Sequence, residues 1–256
     1  MSGKTVYHLA LNETMISGAR VALLPGDPGR VAEIASTPPF EHAREIACKR
    51  EYRSFLGSIA GVPVLVTSTG IGGPSASIAI DELAQLGVHT FLRVGTTGAI
   101  QPHLNVGDVV ITTGAVRLDG ASTQYAPIEY PAVAHYEVVA ALVAAARDTA
   151  TPAHTGITCT CDTFYPGQER YDSFTGYVPR RFQGITEEWR KLHVLNYEME
   201  AATLLTLTGA MDLRGGCVAG VVVNRTRGEA ITKAGLDLAE ANAVKVAVRA
   251  AALLTK

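Results

Sequence analysis

The chain has 256 residues, 47% of them hydrophobic, enough to bury a sizeable core as one large α/β domain or two small ones. Its formal net charge of −2 gives no global basic field, which argues against nucleic acid or an anionic membrane as a partner. Met1-Ser2-Gly3-Lys4-Thr5 leads into no long apolar run, so neither a signal peptide nor a transmembrane helix is expected.

Strand-like and helix-like segments alternate along the chain. Val21–Leu24 is a predicted strand that ends at the turn signal Pro25-Gly26-Asp27-Pro28. Val62–Thr67 is a second strand, running into Thr69-Gly70-Ile71-Gly72-Gly73-Pro74 and a helix over Ser75–Leu86, with Pro74 suited to a first helical turn. Phe91–Val94 is a strand that carries Arg93 and then breaks into Gly95-Thr96-Thr97-Gly98. Asp108–Thr113 and Gly156–Cys161 are further strands, with an alanine-rich amphipathic helix over Ala134–Ala150 between them. A shorter helix covers Glu198–Thr208, Val218–Val223 is apolar enough for a strand buried on both faces, and Leu238–Leu254 closes the chain as a helix. The pattern predicts an α/β fold, its sheet mostly parallel or mixed and covered by helices. No linker or charge block divides it, so residues 1–256 read as a single domain. Cys48, Cys159, Cys161 and Cys217 lack metal-ligand spacing and read as reduced core thiols of a cytoplasmic protein. Cys159 and Cys161 share a strand face, where geometry disfavours a bond.

Ligand chemistry in such folds gathers where strands end in loops. Arg93 is the sharpest signal, because a guanidinium within an apolar strand needs an anion or hydrogen-bonding partner. The glycines after it admit close backbone approach, and the threonines add hydroxyls. Three more loops are unusually polar: Gly26–Arg30, Thr67–Gly73 and Asp162–Arg170, the last mixing aromatic rings with an amide and a guanidinium. Taken singly, each glycine loop is equally well an ordinary turn, and Arg30, Arg50 and Arg170 are equally well solvated surface residues. Gly70-Ile71-Gly72-Gly73 matches neither the dinucleotide fingerprint nor a P-loop. Glu198 and Glu200 sit where a helix dipole favours carboxylates, and a carboxylate there also suits a sugar diol. Together the loops point to an anion, a diol and a flat polar ring, the parts of a nucleoside and phosphate.

With those segments assembled, the chain resembles the nucleoside phosphorylase family, in its pyrimidine branch. The matching stretches are Pro25–Pro28, Ser68–Ser75, Leu92–Pro102, Val106–Asp108, Arg117–Ser122, Asp162–Asp172, Asn196–Glu200 and Val221–Thr226. They cover most of the chain in the family's order, and Phe164–Arg170 is the branch-specific part. The resemblance implies a three-layer α/β sandwich with a central mixed sheet flanked by helices. It implies reversible phosphorolysis of uridine to uracil and ribose 1-phosphate, in pyrimidine salvage and catabolism, with other pyrimidine nucleosides as further candidate substrates.

By the same resemblance, Gly26, Arg30, Arg93 and Thr96 form a phosphate cradle, and Arg50 is lent to it by a neighbouring subunit. Met199 and Glu200, with Arg93 and Thr96, hold the ribose, and His8 reaches its 5′-hydroxyl from the adjacent subunit. Thr97, Gly98, Phe164, Gln168, Arg170 and Val223 surround the base. Arg170, Gln168 and Arg93 carry the catalysis, the first two stabilising charge on the departing uracil. No cofactor is required. Glu51, the Ile71 carbonyl and Ser75 match positions that hold a structural potassium ion at a dimer interface, although Glu51 beside Arg50 is equally well a simple ion pair. The implied assembly is a hexamer built as a trimer of dimers. Cys48-Lys49 and Gln124-Tyr125 replace the family's usual Ser-His and His-Phe, and Arg227–Asp237, a flap over the base in similar chains, diverges most.

Particular residues separate this reading from its alternatives. Purine-specific relatives carry Ser-Asp after the last apolar strand, where this chain has Asn224-Arg225. A nucleosidase, using water, needs no cluster of cations such as Arg30, Arg50 and Arg93. A nucleoside-sensing module needs no residues for a leaving group.

Overall fold

The computed structural model describes residues 4–255. In chain order the elements are α1 (Glu13–Ile16), β1 (Val21–Pro25), α2 (Pro28–Ser36), β2 (Phe40–Lys49), β3 (Tyr52–Ile59), β4 (Val62–Thr67), α3 (Gly73–Gln85), β5 (Thr90–Ala99), β6 (Val109–Leu118) and α4 (Ala121–Tyr125). They continue with β7 (Ala132–Val133), α5 (Tyr136–Asp148), β8 (Ala153–Cys161), α6 (Ile185–Lys191), β9 (Asn196–Glu198), α7 (Ala201–Ala210), β10 (Arg214–Asn224) and α8 (Lys233–Leu254).

All ten strands belong to one mixed sheet flanked by helices, the expected three-layer arrangement. The period-2 alternation of strand side chains divides the core in two. Val21 and Leu23 of β1, Val64 and Val66 of β4, and Leu92 and Val94 of β5 face α2, α5 and α8. Ala22, Leu24, Leu65 and Phe91 face α1, α3 and α7. Arg93 therefore shares the face of Phe91, and it is directed toward the α7 layer rather than toward α8. In α5, Val138, Leu142, Ala145 and Ala146 recur at helical spacing and form its core stripe. Among the described residues no helix is long and apolar enough to cross a membrane.

The sheet has a feature the sequence did not announce. Strand β5 does not stop at Val94. It pairs in parallel with β10 from Thr90↔Arg214 through Ala99↔Asn224, so the glycine-threonine stretch is strand rather than loop. Its other edge changes partner, pairing with β1 up to Val94↔Pro25 and with β9 only from Gly98↔Tyr197. Because β10 also pairs with β6, β6 with β8, and β8 with β9, five strands close on themselves beside an open wing made of β1, β4, β3 and β2. Gly95, Thr96 and Thr97 lie where β1 has ended and β9 has not begun, so the sheet is parted there.

Candidate active site

A cavity of about 700 Å³ opens at that parting, lined by residues 93 and 95–98 of β5. At one end stands the start of α2. Asp27 caps it by accepting the Gly29 N–H at 2.8 Å, with Pro28 in the first turn, so Gly26–Arg30 is a turn followed by a helix rather than a loop. Gly26, Asp27, Pro28 and Arg30 line the cavity there, and a helix N-terminus beside two arginines favours an anion. The Arg30 guanidinium pairs with Glu240 of α8, while its Nε is buried without a partner.

Arg93 is buried between two carboxylates. Its Nε donates to Glu198 at 2.9 Å, and its Nη2 pairs with Glu200. Burial opposes the guanidinium's charge, but Glu200 and Glu198 outweigh it and hold Arg93 above its ordinary pKa. For Glu200, burial raises the pKa and neighbouring Glu198 adds to it, while Arg93 and the Gly72 N–H at 2.5 Å oppose the rise. Gly95 leaves room for this packing, because a Cβ there would press on Arg93 Nη2 at 3.0 Å.

Glu198 ends the short strand β9 rather than opening the helix as expected, and Glu200 is the residue before α7. Glu198 nevertheless serves the helix start, accepting the N–H groups of Glu200 at 2.8 Å and Ala201 at 2.9 Å, with Thr160 donating to it at 2.5 Å. The acidic pair is thus divided between capping and the site. Glu198 does both, bonding the helix start and lining the cavity. Met199, Glu200 and Thr96 all line the cavity. The Thr97 hydroxyl also faces this region but is engaged, donating to the Tyr197 carbonyl at 2.6 Å and accepting from Asn196 at 2.7 Å.

The other end lies by Gly98, four residues along β5 from Val94, or ~13 Å at the rise of an extended strand. A Cβ on Gly98 would approach Arg170 Nη2 to 3.8 Å and Val223 Cγ1 to 3.4 Å. Phe164, Gln168 and Arg170 come from the segment after β8, which makes one 3-10 turn at Pro166–Gln168. Arg170 stacks over the Phe164 ring with Cζ 4.3 Å from its centroid, and its buried Nε has no partner. Val222, Ile231 and Leu236 add apolar wall beyond Val223.

Three sequence-predicted residues do not line the cavity. His8 lies in the turn before α1, where its N–H and Nδ1 bond to Glu82 of α3 at 2.9 and 2.7 Å. Arg50 is exposed in the turn between β2 and β3. Ser75 stands just behind the wall, its hydroxyl donating to the Ile71 carbonyl at 3.2 Å. Glu51 and Ile71 do line the cavity, and a Cβ on Gly70 would meet Glu51 Cγ at 2.9 Å and Ser75 Oγ at 3.2 Å. Glu51, Ile71 and Ser75 are therefore neighbours around Gly70. Of the thiols, Cys159, Cys161 and Cys217 are buried and Cys48 is exposed. All are free, with 3.9 Å between the sulfurs of Cys159 and Cys161.

Comparison with known proteins completes the picture. The model of the phosphorylase superfamily matches residues 20–256. A uridine phosphorylase of Escherichia coli (strain K12) is 53% identical over 251 residues, covering 98% of each chain. One of Haemophilus influenzae is 53% identical over 254 residues and 99% of each chain. A guanosine phosphorylase of Halorubrum lacusprofundi is 38% identical over 221 residues, covering 86% of this chain and 84% of its own.

Proposed function

The chain belongs to the phosphorylase superfamily, and from that membership and the cavity's layout we propose that it is a pentosyltransferase catalysing reversible phosphorolysis of uridine to uracil and ribose 1-phosphate. The observation that carries this reading is that one cavity gathers the start of α2 with Arg30, the buried Arg93 with Glu200, and Phe164, Gln168 and Arg170. The helix start and its arginines suit an anion, Glu200 suits a sugar diol, and the amide and guanidinium beside the Phe164 ring suit a flat ring carrying carbonyl oxygens.

In this reading phosphate lies at the α2 terminus against Gly26, Arg30, Arg93 and Thr96. Glu200, with Met199 beneath the sugar, takes the ribose. Arg93 serves both, because the contacts to Glu198 and Glu200 leave Nη1 free of carboxylates. Phosphate is a dianion near neutral pH, and a guanidinium orients it through charge-assisted bonds. One phosphate oxygen attacks the anomeric carbon as the C1′–N1 bond breaks. The bonding pair leaves with the base, and a proton then neutralises it. Positive charge on the sugar meets phosphate, and negative charge on the base meets Arg170 and Gln168, stabilisation worth ~10²–10³ in turnover per donor. No organic cofactor enters these steps.

The arrangement disfavours purines. Asn224 donates to the carbonyls of Gln101 and Leu104 at 2.9 and 2.7 Å, so it offers no acid to a purine ring. We place the reaction in the cytoplasm, a setting supported by four free thiols, and in pyrimidine salvage and catabolism. The remaining roles require a second copy. His8 and Arg50 would complete a neighbour's site in a hexamer of three dimers, with a potassium ion held at the dimer contact by Glu51, Ile71 and Ser75. Two measurements test the reading. Uridine, thymidine, adenosine and guanosine assayed with and without phosphate should show phosphate-dependent cleavage of uridine, and equal cleavage of adenosine would contradict it. Mixing inactive Arg50→Ala and Arg170→Ala subunits should restore about a quarter of wild-type activity, since half the random dimers carry one intact shared site. No recovery would refute the sharing.

A further inference from the structure

Arg170 is borne on an irregular segment after β8, yet its contribution depends on direction. A guanidinium stabilises a departing base only if one edge is aimed at the forming charge, and loops alone fix such an edge poorly. The Phe164 ring lies against the Arg170 guanidinium, Cζ 4.3 Å from its centroid, but makes no directional bond that would choose which edge faces the cavity.

Glu229, in the segment between β10 and α8, removes that freedom. One carboxylate oxygen accepts from Arg170 Nη1 at 2.5 Å, and the other accepts from Arg225 Nε at 2.5 Å. Arg225 Nη1 in turn donates to the Gln168 carbonyl at 2.8 Å, and its guanidinium lies over the Tyr197 ring, Cζ 5.3 Å from the centroid. The contacts form a ring: Glu229 to Arg170, along the backbone to Gln168, to Arg225, and back to Glu229. Both arginine side chains are 8% exposed, whereas that of Glu229 is 44% exposed. Two guanidinium groups so buried and so close repel, and one shared carboxylate relieves this while leaving a net positive charge on the trio. With Nη1 held by Glu229, Nη2, which lies beside Gly98 of the cavity wall, remains for the ligand.

We propose that Glu229 is a positioning residue for base departure: it touches no substrate, and it sets the angle at which Arg170, braced by Arg225, meets the leaving uracil. This rests on the uridine phosphorolysis reading. It also gives the β10–α8 segment a chemical role, because Arg170 is aimed only while that segment lies in place.

The test uses full-length Glu229→Gln and Glu229→Ala enzymes, with wild type assayed alongside. Loss of an orienting partner costs about 10–100-fold in activity, and that fall is expected in kcat for uridine with KM for phosphate changed less than about twofold. The defect should shrink with 5-fluorouridine, whose base leaves more readily and needs less help. In an Arg170→Ala background, adding Glu229→Ala should cost less than about twofold, because the residue it positions is gone. Wild-type-like kcat in both single variants would overturn the proposal. So would a Glu229→Ala defect of the same size with and without Arg170, or equal for both nucleosides. If wild type itself failed to cleave uridine with phosphate, the functional reading would fall and take this inference with it.

Discussion

Replacing Arg93 with methionine keeps much of the side chain's volume and removes the cation that Glu198 and Glu200 share. Both carboxylates are buried, at 4% exposure each, so losing their partner leaves charge in a poorly solvated place. Breaking a buried pair in this way costs roughly 3–5 kcal/mol. For a chain of this size each kcal/mol moves Tm by about 2–4 °C, so a fall of about 6–20 °C is expected. The loss should depend on pH. Burial already lifts Glu200 above its ordinary 4.5, and Arg93 opposes that rise, so the variant's Glu200 moves further up. A carboxyl raised in the folded state binds its proton more tightly there than in the unfolded chain. Its contribution is therefore most favourable below 4.5 and is lost as pH climbs toward the raised value. Melting curves of wild type and Arg93→Met at pH 5 and pH 8 should diverge more at pH 8. The double variant Arg93→Met with Glu200→Gln should recover part of the difference. Equal deficits at both pH values, or a total loss under about 1 kcal/mol, would refute the buried-charge argument.

Glu82 gives the opposite sign. Burial works against its carboxylate, but the N–H groups of Leu9 and His8 and the His8 ring outweigh that and hold it below its ordinary 4.5. Its stabilisation of the first described turn is thus present above pH 4.5 and lost as pH falls through the depressed value. Losing charge-assisted hydrogen bonds worth about 1.5–3 kcal/mol, Glu82→Gln should speed amide exchange at Leu9 by about 10–100-fold at neutral pH, and unchanged exchange would contradict this. Asn224→Asp should turn a carboxylate oxygen toward the Gln101 and Leu104 carbonyls and destabilise the fold by about 1–3 kcal/mol without conferring purine cleavage. Phosphorolysis of guanosine by that variant would show the position to be catalytic after all.

The two-sided strands were legible because apolar runs leave no other place for themselves: Val62–Thr67 is the observed β4 without adjustment, and β10 contains the whole predicted run. Strand β2 was not, because most of it is exposed, with His42, Arg44 and Glu45 on a charged edge and no alternation to read. The β5 boundary was set too early for another reason. Glycine is depleted in strands and reads as a turn, outweighing the strand preference of the threonines between Gly95 and Gly98, and pairing with β10 across the sheet overrides it. The start of α2 was readable in principle, since Asp27-Pro28 is a cap followed by proline, but its glycine resembled a turn.

In the site, Arg93 stood out because it interrupts a buried strand, and the loop residues Gly26, Arg30, Phe164, Gln168 and Arg170 do meet in one cavity. Glu229 and Glu240 gave no signal. The cavity arginines they hold, Arg170 and Arg30, lie 59 and 210 residues away, and the Arg225–Glu229 spacing of four alone looks like any solvated surface pair.

The most direct test of the central claim is the identity of the sugar product. Enzyme, uridine and ¹⁸O-labelled phosphate, followed by ³¹P NMR and mass analysis, should yield one ribose 1-phosphate per uracil, with label retained in the bridging oxygen. Free ribose in place of the phosphate ester, or uracil release at the same rate without phosphate, would contradict phosphorolysis.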